Sequence, residues 1–274
     1  MNKDIFLEKN ASQQPAIDLL VAMGYRYISP EHCAQQRGSR YHVLLKDILR
    51  GQLRKLNRWQ YAGADKEFSA ANIERAIEDL DVPLTDGLVR SSEKIYDALL
   101  MGKSYPEAVG EGKMLNFNLK YIDWEHPENN VYHVTKEYAV ESQDKQHNAR
   151  PDIVLFINGI PFGVIECKAP HESVSNAAAQ MVRNQQPECI PQLFKYAQIV
   201  MATNSHAVKY ATANTPVKFW SVWKEQDESF MEAALRLYVQ GRMPTEQDRN
   251  LISLFSIGRV MELIQYFKIG RAHV

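Results

Sequence analysis

The run from Arg150 to Lys168 constrains this chain more than any other segment. Two apolar stretches, on either side of Asn158-Gly159, occupy most of it. Asn-Gly tolerates positive φ at both central positions of a two-residue turn, so the segment is predicted to fold back as a β-hairpin. Asp152 opens the first strand, and Glu166-Cys167-Lys168 ends the second. Side chains alternate along a strand, which puts Glu166 and Lys168 on one face and Cys167 on the other. The reversal brings Asp152 toward that pair. Two carboxylates in such a corner repel, and a divalent cation relieves the repulsion. Mg²⁺ suits the site, because it binds through one or two carboxylates plus phosphate oxygens and keeps several waters. It lowers the pKa of a bound water and stabilises charge on phosphate. A neighbouring lysine positions that water or stabilises the developing negative charge. Asp152 and Glu166 are therefore predicted metal ligands and Lys168 their catalytic companion. Cys167 reads as a small core residue. Glu-x-Lys alone is common by chance, and an Asp at a strand start is often only a turn cap. The weight lies in the whole pattern.

Helices precede this segment. Gln14 to Met23 has apolar residues at helical spacing and stops at Gly24; Tyr41 to Trp59 reads as a second helix. On the latter, Lys46, Arg50 and Arg54 recur every fourth residue. They read either as a solvated face or as a stripe that tracks DNA phosphates. Ser69 can cap a third helix to Leu80, and a fourth runs from about Ser91 to Leu100. The pattern then changes. Residues from Met114 to Ile122, Val131 to Val140, Ala197 to Thr203 and Val217 to Trp223 read as strands; Ser175 to Asn184 reads as a helix. Glu228 to Val239 and Leu251 to Phe267 read as closing amphipathic helices. The fold class expected is α/β, a mixed central sheet flanked by helices, with a helical part over about 1–110, a core over about 113–225 and C-terminal helices over about 228–267.

A formal net charge of −1 provides no global basic footprint, so any nucleic-acid contact must use a local patch. The three cysteines form no Cys-x-x-Cys pair and no zinc spacing, and a reduced, cytoplasmic chain is the simplest expectation. No run approaches the roughly 18 apolar residues of a membrane span, and Met1 to Phe6 is no signal peptide.

Pro151-Asp152 with Glu166-Cys167-Lys168 resembles the PD-(D/E)xK nuclease superfamily. With the wider string from Arg150 to Pro161, and with Ile122-Asp123-Trp124-Glu125-His126-Pro127-Glu128-Asn129-Asn130 and Ile190-Pro191-Gln192-Leu193-Phe194, the chain resembles the N-terminal nuclease domain of the restriction (R) subunit of type I restriction-modification enzymes. The resemblance covers nearly the whole chain. It implies a restriction-endonuclease-like fold and Mg²⁺-dependent cleavage of double-stranded DNA in a complex with methyltransferase (M) and specificity (S) subunits. The family often adds Gln-x-x-x-Tyr on the helix after the Glu-x-Lys strand. Gln180 lies there, but Asn184 replaces the tyrosine; Gln192 and Tyr196 fit the letters but come later. Gln180 is favoured by location, with Arg183 as a phosphate contact. Some members also use an early glutamate as a metal ligand; Gln13 and Gln14 occupy that region, and Glu8 is the nearest acid. A stand-alone repair-like nuclease and a non-catalytic docking module remain alternatives.

R subunits carry an ATP-driven DNA motor after the nuclease. No Gly-x-x-x-x-Gly-Lys-[Ser/Thr] occurs here, since Gly112-Lys113 is followed by Met114. ATP is therefore expected only in a motor outside this chain. Ile269 to Val274 can be encoded by a string that resembles a common sequencing adapter, so these residues are expected to be a non-native tail, with the gene continuing beyond Lys268.

Overall fold

The computed structural model describes residues 8–142, 144–146 and 148–266; the tail reading for Ile269 to Val274 lies outside them. A π-helical turn, Lys9–Gln13, leads into α1 (Gln14–Ala22). β1 (Arg26–Tyr27) follows, then α2 (Pro30–Arg37) and α3 (Lys46–Leu56). A small hairpin, Arg58–Tyr61 with Ala64–Glu67, precedes α4 (Ala70–Leu80) and α5 (Gly87–Met101). A second hairpin pairs Lys103–Gly110 with Lys113–Leu119. β2 (Tyr132–Lys136), β3 (Ile153–Ile157) and β4 (Ile160–Cys167) come next, then α6 (Val174–Asn184) and the single turn α7 (Pro191–Phe194). β5 (Ile199–Thr203), β6 (Val208–Ala211), α8 (Glu228–Tyr238), α9 (Glu246–Phe255) and α10 (Ile257–Tyr266) complete the described chain.

The six central strands lie side by side in sequence order, β1 to β6. β1 runs parallel to β2, β3 is antiparallel to both of its neighbours β2 and β4, β4 runs parallel to β5, and β5 is antiparallel to β6. A parallel neighbour needs a long crossover, and α6 and α7 supply it between β4 and β5. Every residue of β3 and β4 is buried, because helices cover both faces of the sheet there. Gln180 of α6 reaches Glu166, while Phe255 of α9 lies against Gly163, three positions earlier on the same strand and so on the opposite face. The mixed sheet flanked by helices is the architecture the patterning predicts.

Several elements differ from the sequence reading. The second helix is shorter than Tyr41 to Trp59. The Leu45 N–H is drawn to the Gly159 carbonyl (2.9 Å) before the helix starts. Asn57 ends it, with its amide donating to the Leu53 and Lys120 carbonyls. Val217 to Trp223 is not a strand but a 3₁₀ turn, Val217–Phe219, with a single bridge from Ser221 to Tyr210. The last helix is two helices, because the Tyr25 hydroxyl donates to the Phe255 carbonyl (2.8 Å) at the break. Val131 to Val140 shortens to β2, which ends at Lys136, just before Glu137 with its φ of 52°. The part expected to be helical also carries β1, the first small hairpin and the first strand of the second.

The β3–β4 turn is held from behind. Asn158 and Gly159 have φ of 53° and 83°, as an Asn-Gly hairpin turn requires. The Asn158 side chain is fully buried. It accepts from the Val131 N–H (2.9 Å) and donates to the Tyr121 carbonyl (2.9 Å) and to Asn130 Oδ1 (2.7 Å). Asn130 in turn accepts from the Asp123 N–H and donates to the Asp123 and Pro127 carbonyls. The string from Ile122 to Asn130 and the Asn-Gly turn are thus one hydrogen-bonded unit. Asn158→Ala strands the partners of three buried bonds and is expected to destabilise the fold by ~2 kcal/mol, measured by urea denaturation.

Candidate active site

The β3–β4 register decides which side chains meet. Ile157 pairs with Ile160 and Phe156 with Pro161, but Leu155 pairs with Gly163 rather than Phe162. One extra residue on β4 makes a β-bulge, after which Val154 faces Val164 and Ile153 faces Ile165. The next rung places Asp152 across from Glu166. Without the bulge Asp152 would oppose Ile165, and Glu166 would point to the other face of the sheet. Pro161 and Gly163 flank the extra residue. Pro161 lacks an N–H for the ladder, and a Cβ on Gly163 would lie 3.0 Å from the Phe255 ring and 3.2 Å from Leu155.

The two acids sit at the floor of a cleft of about 680 Å³. Asp152 is 8% exposed and Glu166 1%. The Cys167 N–H donates to Asp152 Oδ2 (2.7 Å), which ties the acid to the neighbouring strand. The Asp152 carbonyl accepts from the Glu137 N–H (2.9 Å) and from the Gln13 side chain (3.1 Å). Lys168 Nζ lies 3.3 Å from Glu166 Oε1 and 3.9 Å from Glu8 Oε2. Gln180 donates its side-chain amide to the same Oε1. Glu166 Oε1 therefore has two donors, while its buried Oε2 has no partner among the described residues.

Burial pushes the Glu166 carboxyl well above the usual range, and the Asp152 charge pushes it further. Burial raises Asp152 too; the Cys167 N–H and Lys168 oppose that shift, and Glu8 and Glu137 add to it. Burial alone would lower the Lys168 ammonium. The charges of Glu166, Asp152 and Glu8 outweigh it and hold the lysine above its ordinary value. This favours the charged, donating form of Lys168. A buried carboxylate oxygen without a donor is costly, by about 1–3 kcal/mol or more. Either a proton or a cation removes that cost, and the raised carboxyl values express the first solution.

That donor set fits Mg²⁺, whose ligands are oxygens and which keeps waters when only two carboxylates bind it. No cluster of three or more His, Cys, Asp or Glu side chains poised for a metal occurs among the described residues. Glu8 instead lines the cleft as a partner of Lys168, with its own carboxyl raised by burial. Arg183, one turn after Gln180 on α6, lines the same cleft. Gln192 and Tyr196 do not; their side chains are bound to the Glu141 carbonyl and to the Leu80 carbonyl and Asp81. Lys46, Arg50 and Arg54 lie on α3 outside the cleft lining, and Arg50 is paired with Glu74 and Asp47. Glu137, which the sequence did not single out, joins Lys9 (3.3 Å) and Arg150 (2.6 Å) at the cleft edge.

No helix among the described residues is long and apolar enough to cross a membrane, and Cys33, Cys167 and Cys189 are free.

Residues 5–219 match the family model described as the type I restriction enzyme R protein N terminus. Similar curated proteins include the putative type I restriction enzyme MjaIXP endonuclease subunit of Methanocaldococcus jannaschii, 26% identical over 98% of this chain. The type I restriction enzyme HindI endonuclease subunit of Haemophilus influenzae is 23% identical over 97% of the chain. The putative MjaVIIIP endonuclease subunit of Methanocaldococcus jannaschii is 30% identical over 85% of it. This chain spans 26%, 26% and 22% of the lengths of those three relatives.

Proposed function

The chain belongs to the family of type I restriction enzyme R-protein N termini, and from that premise we propose that it is the Mg²⁺-dependent endonuclease module of an R subunit, hydrolysing double-stranded DNA. The observation that carries this reading is the facing pair Asp152 and Glu166, with Glu166 Oε2 buried and free of any donor among the described residues. In this proposal Asp152 and Glu166 hold Mg²⁺, which when bound supplies a lowered pKa for its water and charge neutralisation at the phosphate. Lys168, kept charged, donates to the attacking water or to a phosphate oxygen whose negative charge grows in the transition state. Gln180 holds the Glu166 carboxylate through Oε1 and leaves its second oxygen for the cation. Arg183 offers a phosphate contact, and Lys46, Arg50 and Arg54 form a secondary, more distant phosphate track. Partner M and S subunits select the DNA, and an ATP-driven motor elsewhere in the full-length subunit brings it to the cleft.

Titration of the metal-free chain tests the cation site. Both acids have folded pKa values above their unfolded ones, so the folded state binds more protons. Their contribution to stability therefore falls as pH rises from the ordinary carboxylate range through the raised values. The paired variant Asp152→Asn with Glu166→Gln should lack that decline. Mg²⁺ needs both acids ionised, so its stabilisation should grow over the same interval. At a hundredfold excess over Kd the rise in Tm should be roughly 5–8 °C in the parent chain and absent in the double variant. An equal Mg²⁺ effect on both proteins would contradict the assignment.

A further inference from the structure

Behind the sheet, on the side away from the cleft, the Gln247 side chain is 1% exposed near the start of α9. Its Oε1 accepts from the Ser12 hydroxyl (2.8 Å) and the Thr203 hydroxyl (3.0 Å). Its Nε2 donates to the Ser12 carbonyl (2.9 Å), and its backbone N–H donates to the Ser205 carbonyl (3.2 Å). Ser12 and Thr203 each lead to the site. Ser12 and Gln13 are consecutive in the π-helical turn, and the Gln13 amide holds the Asp152 carbonyl (3.1 Å). Thr203 ends β5, where its carbonyl accepts from the Lys168 N–H (2.8 Å). One buried amide thus joins the backbone that carries the acid to the backbone that carries the lysine.

We propose that Gln247 is a positioning residue for the site, fixing Asp152 through Ser12 and Gln13 and Lys168 through Thr203, so that α9 is part of the site's frame. Asp152 needs such support because it lies one residue before β3 begins. The π-helical turn matters as well. A π-turn is rare and costly, and this one turns Ser12 and Gln13 both inward, to 0% and 3% exposure. Gln247 binds the hydroxyl and the carbonyl of Ser12, and the neighbouring Gln13 side chain reaches the Asp152 carbonyl and Glu137. Gln247 lies beyond residue 219, where the family match ends. The role proposed here rests on the reading of Asp152 and Lys168 as site residues, but its test does not require that they bind a metal.

Site-resolved amide hydrogen exchange of the 274-residue chain tests it, read at the Cys167 N–H that bonds the Asp152 carboxylate. Gln247→Met and Gln13→Met should each accelerate exchange at Cys167 at least tenfold more than a core control on the same helix, Leu251→Ala or Ile252→Val, chosen for an equal loss of Tm. If Gln247→Met does not fold, Gln247→Asn takes its place, keeping the amide but not its reach. Because Gln247 acts through Gln13, the double variant should exchange no faster than the faster single one. Acceleration no greater than in the core control, or full additivity in the double variant, would overturn the proposal. Mn²⁺ titration of the same proteins should show binding weakened about tenfold in Gln247→Met. A parent chain that takes up no Mn²⁺ would count against the nuclease reading, and the exchange rates would still decide the positioning role.

Discussion

Lys168→Met in the full-length subunit is expected to lower the rate of DNA cleavage by about 10²–10³-fold or more, the usual loss when one donor to a developing negative charge is removed. Cation binding should survive, because the ammonium competes with a cation for Glu166 and does not ligate it. The lysine is poised for this electrostatic role by its surroundings. Its side chain is 13% exposed, and three acids hold its proton in place against the pull of burial. Asp152→Ala should abolish cleavage by a different route, through loss of the cation, and the two variants should separate in a Mn²⁺ titration. Measurement of single-turnover cleavage with matched Tm values checks both. Retained cleavage in Lys168→Met would remove the lysine from the mechanism.

Gly159→Ala is expected to cost the fold about 3 kcal/mol, read as a lower urea midpoint. A Cβ there would sit 2.6 Å from the Leu45 carbonyl oxygen and 3.1 Å from the Leu49 N, both backbone atoms that cannot swing aside. The φ of 83° adds a left-handed penalty of roughly 1–2 kcal/mol for any L side chain. Overpacking contributes roughly 1–3 kcal/mol more. The Gly159 carbonyl also receives the Leu45 N–H, so a shift of this turn loosens the entry to α3 as well as the β3–β4 register. A variant as stable as the parent would mean that α3 can move away from the turn without cost.

The hairpin, its acids and the glutamine on α6 were readable from the residues, because Asn-Gly, apolar runs and strand alternation are local signals. The face on which Asp152 lies was not. Counting back from the turn with regular alternation sets Asp152 against Ile165, on the wrong face for Glu166. The bulge corrects this, and its only trace in the sequence is Pro161 and Gly163 bracketing Phe162. Glu137 and Gln247, and the part played by Gln13, escaped notice for another reason. Each has at least one contact more than 100 residues away in sequence, and a buried glutamine or a left-handed glutamate has no local signature. The strand expected over Val217 to Trp223 failed where a local side-chain contact overrode propensity. The Trp220 indole donates to the Thr215 carbonyl and folds that segment into a turn. The short edge strand β6 went unseen because its four residues carry too little alternation to read.

Anomalous diffraction from a Mn²⁺-soaked crystal of the chain tests the central claim most directly. The account predicts one strong peak in the cleft, within coordinating distance of Asp152 and of Glu166 Oε2, with Lys168 still on Glu166 Oε1. A peak bound elsewhere, or none at a concentration that saturates the calorimetric titration, would contradict it.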